Sequence, residues 1–185
     1  IKGFSLPDHF MLEMGKHWSR LFPGLVIAAV RNRLLSESRE VILPAEEQPL
    51  TKYLEQAADG GAQVNLNQLG EAILGETEAR HRLRSSIDLL DRDDVDYVSV
   101  KISAVFSQIN LVAWDETLET IKSRLRQLYR AAKPSGKFIN LDMEAYRDLE
   151  LTIAAFQEVL SEDEFFDYSA GLALQAYLPD SIPVQ

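Results

Sequence analysis

The chain has 185 residues and no cysteine, and its 29 Asp and Glu outweigh 19 Lys and Arg, for a formal net charge of -10. A composition of 46% hydrophobic and 26% charged residues is globular and argues against a long disordered tail; the missing cysteine excludes disulfide, thiol-nucleophile and Cys-based metal chemistry. The acidic balance argues against nonspecific nucleic-acid binding, no apolar run approaches the ~20 residues of a membrane span, and with no secretory signal visible a cytoplasmic setting is expected.

The first 61 residues read as a helical region. Phe10, Met14, Trp18 and Leu21 recur at helical spacing. Pro23-Gly24 interrupts that pattern, and a second helix is expected over Leu25 to Leu35. Ser36 to Glu40 then reads as a solvated connection. A third helix is expected from Pro49, with Leu50, Tyr53, Leu54 and Ala57 on one face and Asp59-Gly60-Gly61 as its stop.

From residue 62 the character changes. Four short apolar runs appear, at 64–67, 97–102, 138–142 and 172–177. Three helical patterns lie between them. Ala79, Leu83, Ile87 and Leu90 line the first. Leu118, Ile121, Leu125 and Leu128 line the second, with Asp115 as its expected N-cap. Leu149, Ile153, Phe156 and Leu160 line the third. Gly136 and Gly171 are expected in turns before strands. Alternating strands and helices predict an α/β fold with a parallel sheet, because a hairpin cannot join parallel strands. Two architectures compete, an open doubly wound sheet and a (β/α)8 barrel. The first strand is followed by Gln68-Leu69-Gly70-Glu71, which lacks the glycine-rich turn of a dinucleotide-binding sheet. Four strands are half of a barrel's eight.

Each expected strand ends in polar or ionisable residues: Asn67 and then Glu71, Lys101, Asp142 and then Glu144, and Gln175 with Tyr177. In barrel enzymes the chemistry lies at the carboxyl ends of strands. Taken singly, each residue has a plainer reading. Lys101 can point outward and snorkel to solvent, Asp142 can cap a helix, and Glu71 can be a first-turn acid favoured by the helix dipole. Other signals are weaker. His9 and His17 are too far apart to share a metal on one helix, and His81 lies among arginines. Asp91 to Asp96 is an acidic turn without the glycine of a calcium loop. Ser135-Gly136-Lys137 lacks the rest of a phosphate loop. Trp18 and Trp114 are packing candidates.

Four segments occur in order: Val64-Asn65-Leu66-Asn67-Gln68-Leu69-Gly70-Glu71-Ala72, Val98-Ser99-Val100-Lys101-Ile102-Ser103-Ala104, Ile139-Asn140-Leu141-Asp142-Met143-Glu144 and Leu174-Gln175-Ala176-Tyr177. Together they resemble the flavin-dependent proline dehydrogenase family, most of all the dehydrogenase domain of bifunctional proline utilization A proteins. The resemblance covers about residues 45 to 180. It implies an N-terminal helical region, 1–61, followed by the first half of a (β/α)8 barrel, 62–185. It implies noncovalent FAD, oxidation of L-proline to Δ1-pyrroline-5-carboxylate, and electron transfer to a quinone. NAD enters only if an aldehyde dehydrogenase domain follows in the same polypeptide. The resemblance leaves room for peripheral contact at the inner face of the membrane and for an oligomer; it implies neither a metal nor a nucleic-acid partner. By motif, Lys101 would bind the proline carboxylate, Asp142 would lie beside substrate and flavin, Gln175 would hydrogen-bond the ring, Tyr177 would lie close to it, and Glu71 would pair with an arginine that closes the site. Asn67 departs from the aspartate that relatives often carry there.

The chain starts at Ile1 rather than Met and stops at Gln185, so an excerpt is expected, with the family's later arginines, lysine and tyrosine outside it and the fragment itself inactive. Two other readings differ in class. A Schiff-base lyase would use Lys101 as nucleophile and Asp142 or Glu144 for proton transfer. A noncatalytic assembly fragment would pair through its open sheet edges.

Overall fold

The computed structural model describes residues 13–184 except 14, 17, 20, 39–41, 44, 45 and 69–72. His9, Phe10, Met14, His17 and Glu71 therefore lie outside the described residues. The chain forms two compact units, residues 1–50 and 51–185.

In the first unit, helix α1 runs Pro23–Ser38. Pro23 stands at its first position, where the missing N–H costs nothing. The helix does not stop at Leu35 as expected. Arg33 pairs with Glu37 at 2.7 Å and Ser38 Oγ donates to the Leu34 carbonyl, so Ser36 to Ser38 complete a last turn. No described residue of α1 is buried. Trp18 is 53% exposed, which corrects its assignment to packing. Helix α2, Glu47–Asp59, crosses the division between the units. It ends at Gly60 and Gly61, the latter at φ 72°, a backbone shape that favours glycine.

The second unit continues with β1 (Asn65–Asn67), α3 (Glu76–Leu90), β2 (Tyr97–Val100), α4 (Trp114–Ala132), β3 (Phe138–Asp142), α5 (Leu149–Leu160) and β4 (Ala170–Ala173). A single helical turn, Ile102–Val105, follows β2. All strand pairs are parallel, in the order β1-β2-β3-β4. A doubly wound sheet reverses its strand order at a switch point. Here every crossover advances to the next position, as in a barrel wall. Helix α4 packs against both α3 and α5, so these crossover helices lie side by side. No helix of the described residues is long and apolar enough to cross a membrane.

Helix α4 follows its sequence pattern: Leu118, Ile121, Leu125 and Leu128 are all buried. Its first residue is Trp114, and Ala113 occupies the cap; Asp115 therefore lies inside the first turn rather than capping it. The preceding turn is capped instead by Asn110, whose side chain accepts from the Val112 N–H. Helix α5 presents a different face from the expected one. Leu149 is buried as expected, but so are Leu151, Thr152, Ala155 and Val159, while Ile153, Phe156 and Leu160 are only partly so. The helix is apolar around most of its circumference, so hydrophobic periodicity alone does not select its inner face. Gly136 does turn into β3, at φ 65°. Gly171 instead lies within β4. A Cβ there would meet Asn140 Oδ1 at 2.8 Å and Phe138 Cζ at 2.9 Å.

Candidate active site

Alternate strand residues face opposite sides of a sheet. Val98, Val100, Ile139 and Leu141 form one set, each at most 4% exposed, with α3 packed against β2 and α4 against β3. The other set is mostly polar: Asn65 and Asn67, Tyr97 and Ser99, Phe138, Asn140 and Asp142. Tyr97 and Phe138 meet edge to face at 5.1 Å at the amino ends of β2 and β3. Above them, hydrogen bonds cross the strands. Asn65 Nδ2 donates to Ser99 Oγ at 2.9 Å, Asn140 Nδ2 to Ser99 Oγ at 3.4 Å and to Asp142 Oδ1 at 2.6 Å. Asn67 Nδ2 donates to Asp142 Oδ2 at 2.9 Å. Barrel interiors are usually filled by branched aliphatic side chains. A face of amides, a hydroxyl and a carboxylate suits a polar ligand instead, since polar groups are costly to bury unpaired.

The sequence pattern places Lys101 within a strand, but β2 ends at Val100. Lys101 is the extended residue that caps the turn Ile102–Val105. Its side chain is 16% exposed, and its Nζ lies 2.7 Å from Glu144 Oε1. It does not snorkel away from the site, because its partner follows β3 by two residues. The backbone carbonyl of Glu144 accepts from Gln175 Nε2 at 2.9 Å. Lys101, Glu144 and Gln175 are thus linked across the carboxyl ends of β2, β3 and β4.

Gln175 and Tyr177 were expected within the fourth strand. Pairing with β3 stops at Asp142 opposite Ala173, with one further bond from the Met143 N–H to the Ala173 carbonyl. Beyond it β4 has no strand partner among the described residues, and both residues fall in the following turn. Tyr177 is 77% exposed.

Burial pushes the Asp142 carboxyl above its ordinary range, against the Asn140 hydrogen bond and the Lys101 charge, which pull it down; Glu144 adds to the rise. Asp142 is thus a carboxylate partly withdrawn from water and held by amides, not a helix cap. Among the described residues, no group of three or more His, Asp or Glu could hold a metal ion.

Residues behind this face went unmarked in the sequence. Arg124, 8% exposed, donates to the Val105 carbonyl at 3.3 Å and binds the Glu76 carboxylate. Ser107 Oγ donates to the other Glu76 oxygen at 3.4 Å. The turn following Lys101 is thereby tied to α3 and α4. A signal for the polar face was present in Asn65-x-Asn67, Ser99-x-Lys101 and Asn140-x-Asp142, polar residues two apart in otherwise apolar runs.

Comparison with known proteins places this geometry. The family model described as proline dehydrogenase matches residues 50–185. Proline utilization A from Corynebacterium freiburgense is 41% identical with a TM-score of 0.77, over 95% of this chain and 17% of that one. Proline utilization A from Bdellovibrio bacteriovorus, inactivated by N-propargylglycine, is 32% identical with a TM-score of 0.78, over 87% of this chain and 19% of that one. The protein from Bradyrhizobium japonicum, at 21% identity and a TM-score of 0.60, shares the fold. No curated protein sequence matches. The chain thus spans less than a fifth of the length of these solved proteins, and its four strands with three crossover helices form part of a barrel. With the ordered motifs, the strand order and the match over residues 50–185 in agreement, the chain belongs to the proline dehydrogenase family.

Proposed function

We propose that the protein carrying this chain oxidises L-proline to Δ1-pyrroline-5-carboxylate with noncovalently held FAD and passes the electrons to a quinone. The observation that carries this reading is the convergence of Lys101, Asp142 and Gln175 at the carboxyl ends of adjacent strands in a chain of this family.

The residues present fit a flavin. A ring edge with alternating donors and acceptors needs groups that do both, and Asn67, Asn140 and Gln175 offer amides. The exposed ring of Tyr177 offers a flat partner. Gln175 would hold the ring edge and Tyr177 would lie against it. FAD supplies the two-electron acceptor that amino-acid side chains lack. Lys101 would receive the proline carboxylate, exchanging its Glu144 partner for the ligand's anion. Asp142 would face the amine, which must lose a proton before the adjacent carbon is oxidised readily. Glu71 would pair with an arginine that closes the site.

The same reading includes a helical region to residue 61 and a barrel from 62, a cytoplasmic protein with peripheral contact at the membrane where its quinone lies, and a capacity to form oligomers. NAD belongs to it only with a following aldehyde dehydrogenase domain, which would carry the product on to glutamate. A Schiff-base lyase is less well supported, because such a lysine needs apolar surroundings and Lys101 is ion-paired.

The test is reduction of an artificial dye by the purified intact protein. Dye reduction that depends on L-proline, by a yellow protein, is expected. A colourless protein that leaves the dye oxidised would defeat the reading.

A further inference from the structure

We propose that Asn67 and Asn140 are positioning residues, an amide clamp that holds Asp142 as an oriented carboxylate and so presents a proton acceptor to an amine-bearing ligand. Only the identity of the ligand rests on the function proposed above.

Each Asp142 oxygen has its own donor, Asn67 Nδ2 on Oδ2 at 2.9 Å and Asn140 Nδ2 on Oδ1 at 2.6 Å. A proton added to either oxygen must displace or turn aside an N–H bond, so the clamp favours the anion. The orientation of Asn140 is itself determined. Its NH2 has two hydrogens, and two acceptors lie within reach, Asp142 Oδ1 and Ser99 Oγ. Flipping the amide would set its carbonyl oxygen against the carboxylate. Ser99, 3% exposed, is held from the other side by Asn65. The position of Gly171 leaves space for Asn140 Oδ1.

Two charges flank the carboxylate, Lys101 favouring the anion and Glu144 opposing it, while the amides supply its direct donors. From the end of β2 comes Lys101, already paired with Glu144, and from beyond β3 comes Glu144, which opposes ionisation. The described residues of β1 offer only amides toward Asp142, and β4 offers Gly171 and Ala173. Burial works against the charge, and the hydrogen-bond donors counter it together with the Lys101 charge. An aspartate at position 67 would set a second carboxylate against the first and make the pair share a proton. With Asn67 the site keeps one fixed negative charge there.

The decisive experiment is a carbon-13 NMR titration of the full chain labelled at aspartate carboxyls, with the Asp142 signal identified by its loss in Asp142→Asn. Asn67→Ala removes one donor at an exposed position, where folding is not at stake; Asn140→Ser removes the other. Each should raise the Asp142 midpoint by about one pH unit, the size expected for a charge-assisted hydrogen bond. Midpoints unchanged in both variants would overturn the clamp. In the intact protein, the acid limb of kcat/KM for proline should move upward with the midpoint, and a limb that stays put while the midpoint moves would remove Asp142 from the acceptor role. If the unaltered protein does not oxidise proline, the proposed function fails, while the titration still decides the clamp.

Discussion

Replacing Arg124 with methionine tests how the site is supported from behind. The guanidinium, 8% exposed, binds the Glu76 carboxylate and the Val105 carbonyl. Removing one partner of a fully buried ion pair costs ~3–5 kcal/mol, mostly from the charge left alone. Glu76 is not fully buried. Its side chain is 29% exposed, and Arg80 lies 3.3 Å from the same oxygen, so part of that cost is relieved. Methionine also keeps most of the packing volume. The expected loss is therefore about 2–3 kcal/mol, read as a fall in the urea midpoint at neutral pH. The pH dependence has a definite sign. Burial raises the Glu76 carboxyl, but Arg124 and Arg80 overcome it and hold it below its ordinary value of 4.5. A carboxyl lowered on folding contributes stability above its unfolded pKa and loses it as pH falls through the folded one. The gap between wild type and Arg124→Met should thus narrow as pH falls below about 4.5. Because Arg124 pins the turn after Lys101, the variant should also raise KM for proline in the intact protein. A loss below about 0.5 kcal/mol, the level of an exposed pair, or a gap that stays constant into acid, would mean that Arg124 does not hold Glu76 as a buried ion pair.

Other outcomes follow from the same geometry. Gly171→Ala puts a methyl 2.8 Å from Asn140 Oδ1 and 2.9 Å from Phe138 Cζ; overpacking of this kind costs about 1–3 kcal/mol, seen as a lower thermal midpoint, and an unchanged midpoint would mean that the strand yields freely. Asp148 is 3% exposed with Oδ1 3.3 Å from Arg147 Nε, and burial raises its carboxyl despite that neighbouring charge. Its ionisation therefore lowers stability as pH rises, so Asp148→Asn should stabilise by about 1 kcal/mol at neutral pH and give no gain below the ordinary carboxylate range; equal effects at both pH values would contradict this. Lys101→Met should raise KM for proline at least tenfold with flavin content unchanged, and an unaltered KM would remove Lys101 from carboxylate binding.

The α/β class, the parallel strands and most crossover faces were legible in the sequence because charge and hydrophobicity segregate strongly there. In α4 the apolar residues fall on one stripe, and Lys122, Arg126 and Arg130 find Glu158, Glu162 and Glu164 outside it. Helix α5 has no such contrast, and of its expected inner face only Leu149 is buried. The end of α1 was misread because Ser-rich polar runs resemble loops, whereas the Arg33–Glu37 pair is visible only in helical register. At the site, polar strand ends pointed to Lys101, Asp142 and Gln175. Their partners were hidden because hydrogen bonds between strands depend on register. Nothing local to Asn140 shows that Ser99 lies opposite it, and nothing local to Gln175 shows that β3 has already ended.

Proline oxidation by bound flavin is tested most directly by mixing the intact protein anaerobically with L-proline while the visible absorbance of the flavin is followed. Saturable bleaching by proline is expected, requiring a much higher proline concentration when Lys101 is replaced by methionine. A flavin that stays oxidised at saturating proline, or bleaching indifferent to Lys101, would contradict proline oxidation at this site.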